Sequence, residues 1–496
     1  MARNSRNLRK LTQQKLQFFT AFAERSFRLT ALGNAPRSRP VGHAVKPDHS
    51  CRRATANLFL ILGCMMLGCT PASTSSNTSN TVEQVGEVIP STAETKQSAE
   101  TKKSAETKTS AETKTPTPEQ PPVDKSVDVD GLLSMRLSDE DLSVGWIRLF
   151  DGQSMMGWKK TGTANWRVED GALMADSGES GLLCTSVRFS DFELMLEYKG
   201  AATTNSGVSL RSPIVPKNPA EDCYELNIAP QDNPFPTGSL VGRVKVSEQL
   251  PAPEPDEWHT LHILVDRDQV QVRVDGALSV DYVDTTGLTA GCIGLQFREG
   301  PIQFRDVRVR PISYAILPAK ELKDFGQPAS AVRANLDELG ELLLEGGKGH
   351  IELLQPYADC CIQVSIRTLA DNVNSGLFFR CVPGEDMNGY ECQLHHGFRE
   401  DRRSPVDAGM GAIFRRQNAK AVLSDADKQT FVSVIADGPI LSTWVNGVQV
   451  VEWEDTRPAN ANPRKGLRTE AGTIMLQGHD PDCKIRFSSL SICPIP

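Results

Sequence analysis

Residues 270–285 read VQVRVDGALSVDYVDT, and residues 440–456 read ILSTWVNGVQVVEWEDT. In each, apolar and polar residues alternate around a two-residue turn, Asp275-Gly276 in one and Asn446-Gly447 in the other. A period of two puts successive side chains on opposite faces of a strand, and Asp-Gly or Asn-Gly accepts the positive φ of a tight hairpin turn. Both stretches are hairpins, and their likeness predicts one domain present twice.

Working outward, the repetition continues. Asn205-Ser-Gly-Val-Ser-Leu-Arg211 is matched by Asn374-Ser-Gly-Leu-Phe-Phe-Arg380, and Tyr224-Glu225-Leu-Asn227 by Tyr390-Glu391-Cys-Gln393. Ala290-Gly-Cys-Ile-Gly-Leu-Gln296 pairs with Ala471-Gly-Thr-Ile-Met-Leu-Gln477, and both copies close on an alternating strand, IQFRDVRVRPI and IRFSSLSICPI. The offset between matching landmarks is 169, 166, 171 and 181 residues, so their order is kept while loop lengths differ. Helical periodicity shows only around residues 330–345. Many short strands without βα alternation predict an all-β chain of two tandem β-sandwiches.

The part in front is different. Residues 54–68, ATANLFLILGCMMLG, follow Arg52 and Arg53 and precede Cys69, the pattern of a secretory signal with a lipobox-like end. Fifteen helical residues span only about 22 Å, short for a bilayer crossing. The expectation is a secreted, lipid-anchored protein of a bacterial cell envelope, lipidated at Cys69, with the membrane as partner through that anchor. No methionine lies between Met1 and Met65, which points to a start near Val41 or Val45. Residues 70–130 are rich in Ser, Thr, Glu, Lys and Pro and carry the hexads TAETKQ, SAETKK, SAETKT and SAETKT. Such a segment cannot bury enough apolar surface to order itself, and reads as a flexible tether.

A net charge of -8 argues against a nucleic-acid partner. Of twelve cysteines, nine lie beyond Cys69, with no CxxC and no zinc-finger spacing. Whether any disulfide forms stays open, Cys483–Cys493 being one candidate pairing. Neither a GxSxG elbow nor an HExxH helix occurs, which sets aside serine-nucleophile and zincin chemistry.

The run Gly145-Trp-Ile-Arg-Leu-Phe-Asp-Gly-Gln-Ser-Met-Met-Gly-Trp158, followed by Trp166-Arg-Val-Glu-Asp-Gly171, resembles the opening of the 3-keto-disaccharide hydrolase domain. The landmarks of both copies fit that family, and the resemblance covers residues 143–312 and 315–494. The second copy resembles a subtype marked by Asn388-Gly-Tyr-Glu-Cys-Gln393, Gly411-Ala-Ile-Phe-Arg-Arg416 and Asn462-Pro-Arg-Lys-Gly-Leu-Arg468, and it lacks the Phe-Asp-Gly opening. The resemblance implies a concanavalin/laminin-G-like jelly roll that cleaves glycosides already oxidised at C3. A 3-keto group acidifies the C2 proton, so a base can form an enolate and expel the C1 substituent before water adds. The protein must supply a base near neutral pKa, an array of donors or cations for the enolate, and groups that grip the sugar. A divalent metal is a candidate for the second role.

In the second copy Glu391, Gln393 and His395 alternate along one predicted strand and so share a face. Glu391 or His395 is the candidate base. Arg380, with Arg415 and Arg416, is a candidate to stabilise the enolate, while Gln393, Gln477, His479 and Asp480 are candidates to bind the sugar. Polar residues alternating on a strand ordinarily mark a solvated face; here the pattern repeats in both copies. In the first copy Glu225, Asn227, Arg211, Arg243 and Gln296 hold comparable positions, but Ala229 stands where His395 stands. The expectation is chemistry in the second copy. A non-catalytic carbohydrate-binding surface protein is the alternative.

Overall fold

A computed structural model describes residues 126–247, 250–370 and 372–496. The signal-like segment with Cys69, and the tether up to residue 125, lie outside the described residues.

Each copy folds into two facing antiparallel sheets. In the first copy the larger sheet runs in the order Ala277–Val283, Gln269–Val274, His259–Asp266, Phe192–Gly200, Ile302–Pro311, Ala172–Ala175, Arg167–Glu169, with Ile147–Arg148 also paired to Ile302–Pro311. The smaller runs Trp158–Lys160, Gly181–Thr185, Cys292–Glu299, Asn205–Ser212, Tyr224–Ile228. The second copy repeats both orders. Its larger sheet is Val448–Glu454, Ile440–Val445, Thr430–Asp437, Cys360–Thr368, Lys484–Pro494, Leu342–Glu345, Arg333–Leu336, and its smaller sheet is Ala329–Ser330, Gly349–Tyr357, Gly472–Gly478, Ser375–Cys381, Tyr390–Leu394. The chain is two tandem jelly-roll β-sandwiches.

Alternation fills each sandwich. Phe192, Leu194, Leu196 and Tyr198 point inward from one strand, and Ile485, Phe487, Leu490 and Ile492 from its counterpart's neighbour; all are buried. The helical periodicity read around residues 330–345 is overturned, because Arg333–Leu336 and Leu342–Glu345 pair as a hairpin. Its turn closes where the Gly340 amide donates to Asp337 O at 3.0 Å. Gly340 has φ +74, and a Cβ there would meet Ala319 O at 2.5 Å. Short apolar runs fit either period, and a turn that only glycine fits decides this one.

The candidate disulfide Cys483–Cys493 is likewise corrected. All nine described cysteines are free and buried. Cys483 precedes, and Cys493 nearly ends, the strand Lys484–Pro494, which holds the two roughly 30 Å apart, far beyond the ~7 Å reach of a disulfide.

The copies are not independent beads. Helix Val129–Ser134 is capped by Asp128, which accepts from the Gly131 amide, and its Leu132 is fully buried in the second copy's core although it precedes the first copy in sequence. Helix Asp139–Ser143, capped by Ser138, leads back to the first copy. In return the second copy gives Cys361, Ile435, Trp444, Cys493 and Ile495 to the first copy's core, and Trp444 Nε1 donates to Arg148 O at 2.7 Å. Lys420 Nζ lies 2.7 Å from Asp151 Oδ2 in the Phe-Asp-Gly motif, with both side chains nearly buried. Burial works against the Asp151 charge, yet Lys420, Ser154 and the Gln153 amide hold its carboxyl below the usual range. Arg188 of the first copy reaches Asp437 at 2.6 Å and Asp359 at 2.8 Å in the second. Sharing a core couples the folding of its parts. One calorimetric unfolding transition is expected for both copies, and two resolved peaks would contradict this coupling.

Candidate active site

The strand Tyr390–Leu394 lies at the edge of the second copy's smaller sheet. Its edge is covered by the 410–417 loop: the Gln393 amide donates to Ala412 O, Gly411 to Gln393 O and Phe414 to Glu391 O. Covering an edge satisfies its backbone groups and blocks pairing with other chains. Tyr390, Cys392 and Leu394 face the core, so Glu391 and Gln393 face outward. There they line a cavity of about 570 Å³ together with Asn374, Phe378, Gln477, His479 and the basic residues Lys348, Arg415, Arg416 and Arg464. This volume suits a small ligand that becomes largely enclosed.

The floor is shaped by Gly376, which pairs with Gln393 across the strands. A Cβ there would sit 3.0 Å from Glu391 Oε1 and 3.2 Å from Gln477 Oε1. The two side-chain oxygens therefore converge over a bare glycine, leaving a hollow that a side chain would fill. The Glu391 carboxyl makes no hydrogen bond among the described residues, and burial pushes it up to about 7 against the pull of Arg464, His479 and Arg415. Gln393 and Gln477 are 1% and 5% exposed, and the Oε1 atom of each is buried without a partner. Buried acceptors of this kind are costly unless a ligand or a water donates to them. Phe378, under Met387 and beside Met475, supplies an apolar wall.

Several candidate residues lie elsewhere. Arg380 sits at a register shift and has φ 48, a bulged backbone that turns its side chain away from the cavity. It is 1% exposed and donates to Ala358 O, Gly438 O, Arg468 O and Asp359 Oδ1, a cage with no room for substrate. Arg211 repeats this cage in the first copy, with φ 47 and contacts to Ser190 O, Arg267 O, Leu288 O and Asp191 Oδ1. His395 falls one residue past the end of the strand, where the alternation lapses. It lines a separate cavity with His396, Phe398 and Arg402, and its Nδ1 accepts from the Gly397 amide. Burial holds the His395 imidazole below its usual pKa, against Asp407 and Asp480. His479 does line the main cavity and pairs with Asp480 at 2.7 Å, whereas Asp480 is not part of the wall.

The first copy keeps the floor, with Gln296 Oε1 likewise buried without a partner, but its carboxylate is engaged internally. Gln296 Nε2 donates to Glu225 Oε1 at 2.8 Å, and Asn227 Nδ2 donates to Phe235 O. Arg243 is bound to Asp284 at 3.0 Å and stacks on Tyr224. The hairpins that bridge Leu240 to Val244 and Ile413 to Gln417 are equivalent, so Gly242 stands where the second copy has Arg415. Sequence reasoning passed over Lys348, Asn374, Phe378 and Arg464 as site residues. For Arg464 a signal existed: the offset between copies grows from 171 to 181 residues just here, marking an insertion in the second copy.

The donors present do not suit the divalent metal considered for the enolate. The cavity's carboxylates, Glu391 and Asp386, stand among four basic residues, and no group of three His, Cys, Asp or Glu placed to hold an ion occurs among the described residues.

Comparison with known proteins bears on the family. A curated 3-keto-disaccharide hydrolase of Bacteroides thetaiotaomicron is 33% identical over 76 residues, 13% of this chain and 26% of that protein. The chain thus matches about a quarter of that relative's length. Among solved structures, a putative glycosyl hydrolase of Parabacteroides distasonis shares 21% identity over 36% of this chain and 98% of its own, with a TM-score of 0.32. The carbohydrate-binding module CBM66 of Bacillus subtilis shares 18% over 32% and 98%, with a TM-score of 0.25. The model of the 3-keto-alpha-glucoside-1,2-lyase-like domain matches residues 145–310 and again 320–493, and the chain belongs to that family.

Proposed function

We propose that the second copy cleaves 3-keto-glycosides by elimination and hydration, with Glu391 as the base. The observation that carries this reading is a carboxyl held at about 7, without a hydrogen bond, on the floor of a sugar-sized cavity. A base works best when its pKa lies near the working pH, and burial brings Glu391 there. Glu391 takes the C2 proton, and the C–H electron pair passes to the C3 oxygen as an enolate. Arg415 and Arg464, which act on Glu391 electrostatically, are the cations placed to stabilise that oxygen, with His479 beside them in the wall. The enolate then re-forms the ketone and expels the C1 oxygen, which takes a proton back from Glu391. Water adds across the new C1–C2 double bond. Gln393 and Gln477 accept hydrogen bonds from sugar hydroxyls, and Phe378 packs on an apolar ring face. We also propose a bacterial envelope location with an anchor at Cys69, which the signal-like residues 54–69 support.

The test is turnover of a chromogenic 3-keto-glucoside by the whole chain beside Glu225→Gln and His395→Ala variants. Both variants are expected to keep most of the activity. Loss in Glu225→Gln would move the chemistry to the first copy. Absence of turnover in the unaltered chain, with saturable binding of plain oligosaccharides, would make this a carbohydrate receptor.

A further inference from the structure

The cavity holds more positive charge than the elimination needs. An enolate is one transient charge on one oxygen, yet Lys348, Arg415, Arg416 and Arg464 all line the wall beside His479. Against them stand Glu391, half neutral near pH 7, and Asp386, whose side chain is 75% exposed. Several arginines elsewhere are paired with carboxylates: Arg380 with Asp359, Arg402 with Asp425, Arg457 with Asp455. None of the four cavity cations has a carboxylate partner among the described residues.

Their placement is built. Arg416 Nη1 donates to Arg415 O at 3.1 Å and Nη2 to Arg464 O at 2.9 Å, while Arg464 Nη2 donates to Met387 O at 2.5 Å. Three loops are thereby tied together, and their arginines line the same cavity as the unpartnered oxygens of Gln393 and Gln477. Burial, with Arg457 and Arg415 nearby, disfavours the charged form of Arg416, so a bound anion would relieve a standing repulsion. The first copy has the same Glu and Gln floor without this charge, since Gly242 replaces Arg415 and Arg243 is neutralised by Asp284.

We propose that the glycoside taken by this cavity carries a fixed negative charge, a carboxylate or a sulfate ester, gripped by Arg415, Arg416 and Arg464. The inference rests on the reading of this cavity as the sugar site. Guanidinium groups match the oxygens of either anion in paired hydrogen bonds, and lose much less on dehydration than an ammonium does.

The test is calorimetric titration of the full chain with methyl glucuronide, glucose 6-sulfate and methyl glucoside, none of them oxidised at C3. At least one anion is expected to bind about tenfold tighter than the neutral sugar, the gain of one charge-assisted contact. That advantage should shrink as salt rises and fall towards parity in an Arg416→Gln/Arg464→Gln double variant, with circular dichroism confirming its fold. A preference for the glucuronide or for the sulfate identifies the source of the charge. Equal affinity for all three sugars, no saturable binding of either anion, or a preference that survives in the folded double variant overturns the proposal. Because these ligands cannot undergo elimination, the result is separable from the chemistry. Charge preference without turnover of any 3-keto-glycoside retains this inference and removes the enzyme, while turnover of a neutral 3-keto-glucoside with equal affinities does the reverse.

Discussion

Glu391→Gln is expected to lower kcat on a 3-keto-glucoside by roughly 10²–10⁴-fold, the usual contribution of a positioned base. Glutamine keeps the shape and the hydrogen-bonding reach but cannot accept the C2 proton. In the unaltered protein kcat/KM should rise with pH through about 7, as the carboxyl becomes a carboxylate. The same substitution has an opposite signature in stability. A carboxyl whose pKa goes from 4.5 to about 7 on folding binds more protons in the folded state, so stability is full below about pH 4.5 and is lost as pH rises through 7. At pH 8 the buried charge costs about 3 kcal/mol, at about 1.4 kcal/mol per pKa unit. Glu391→Gln should therefore melt higher than the unaltered chain at pH 8 and about equally at pH 4.5. Thermal melts at both pH values, run beside the kinetics, check this. A variant with undiminished turnover would place the base elsewhere.

Arg380→Met is expected to cost about 3–5 kcal/mol of stability, the range for removing one partner of a buried ion pair. The substitution leaves Asp359 without its buried partner and three carbonyls, Ala358 O, Gly438 O and Arg468 O, without a donor. Arg380→Lys should recover little, because an ammonium is a point charge and cannot reach acceptors on several sides as a planar fork does. Denaturant titration without any substrate is the measurement. Normal stability with lost turnover would return Arg380 to a role in the chemistry. Arg211→Met should behave alike in the first copy, where the four acceptors are repeated.

What could be read from sequence follows the reach of local rules. Strand periodicity, the Asp275-Gly276 and Asn446-Gly447 turns and the repeated landmarks gave two sandwiches, and alternation put Glu391 and Gln393 on one face, where they line one cavity. The same rule failed wherever the strand itself failed. His395 lies beyond the last paired residue, Leu394, and Arg380 lies on a bulge, so in both cases the period of two no longer fixed the direction of the side chain. Repetition was also ambiguous in meaning. Arg211 and Arg380 recur because each closes the end of its own sandwich, whereas Arg464 has no counterpart and lines the cavity. Contacts between the copies, such as Arg188 with Asp437 across 249 residues, leave no local pattern in the chain.

Asp359 holds Arg380 of its own copy with one oxygen and Arg188 of the other copy with the second. A duplicated gene ordinarily leaves two parts that can be lost or recombined separately. Here losing the first copy would uncover Trp444 and leave Lys420 without its carboxylate, and losing the second would take away five residues of the first copy's core. The duplication has become entrenched. Neither copy can be shed without unmaking part of the other.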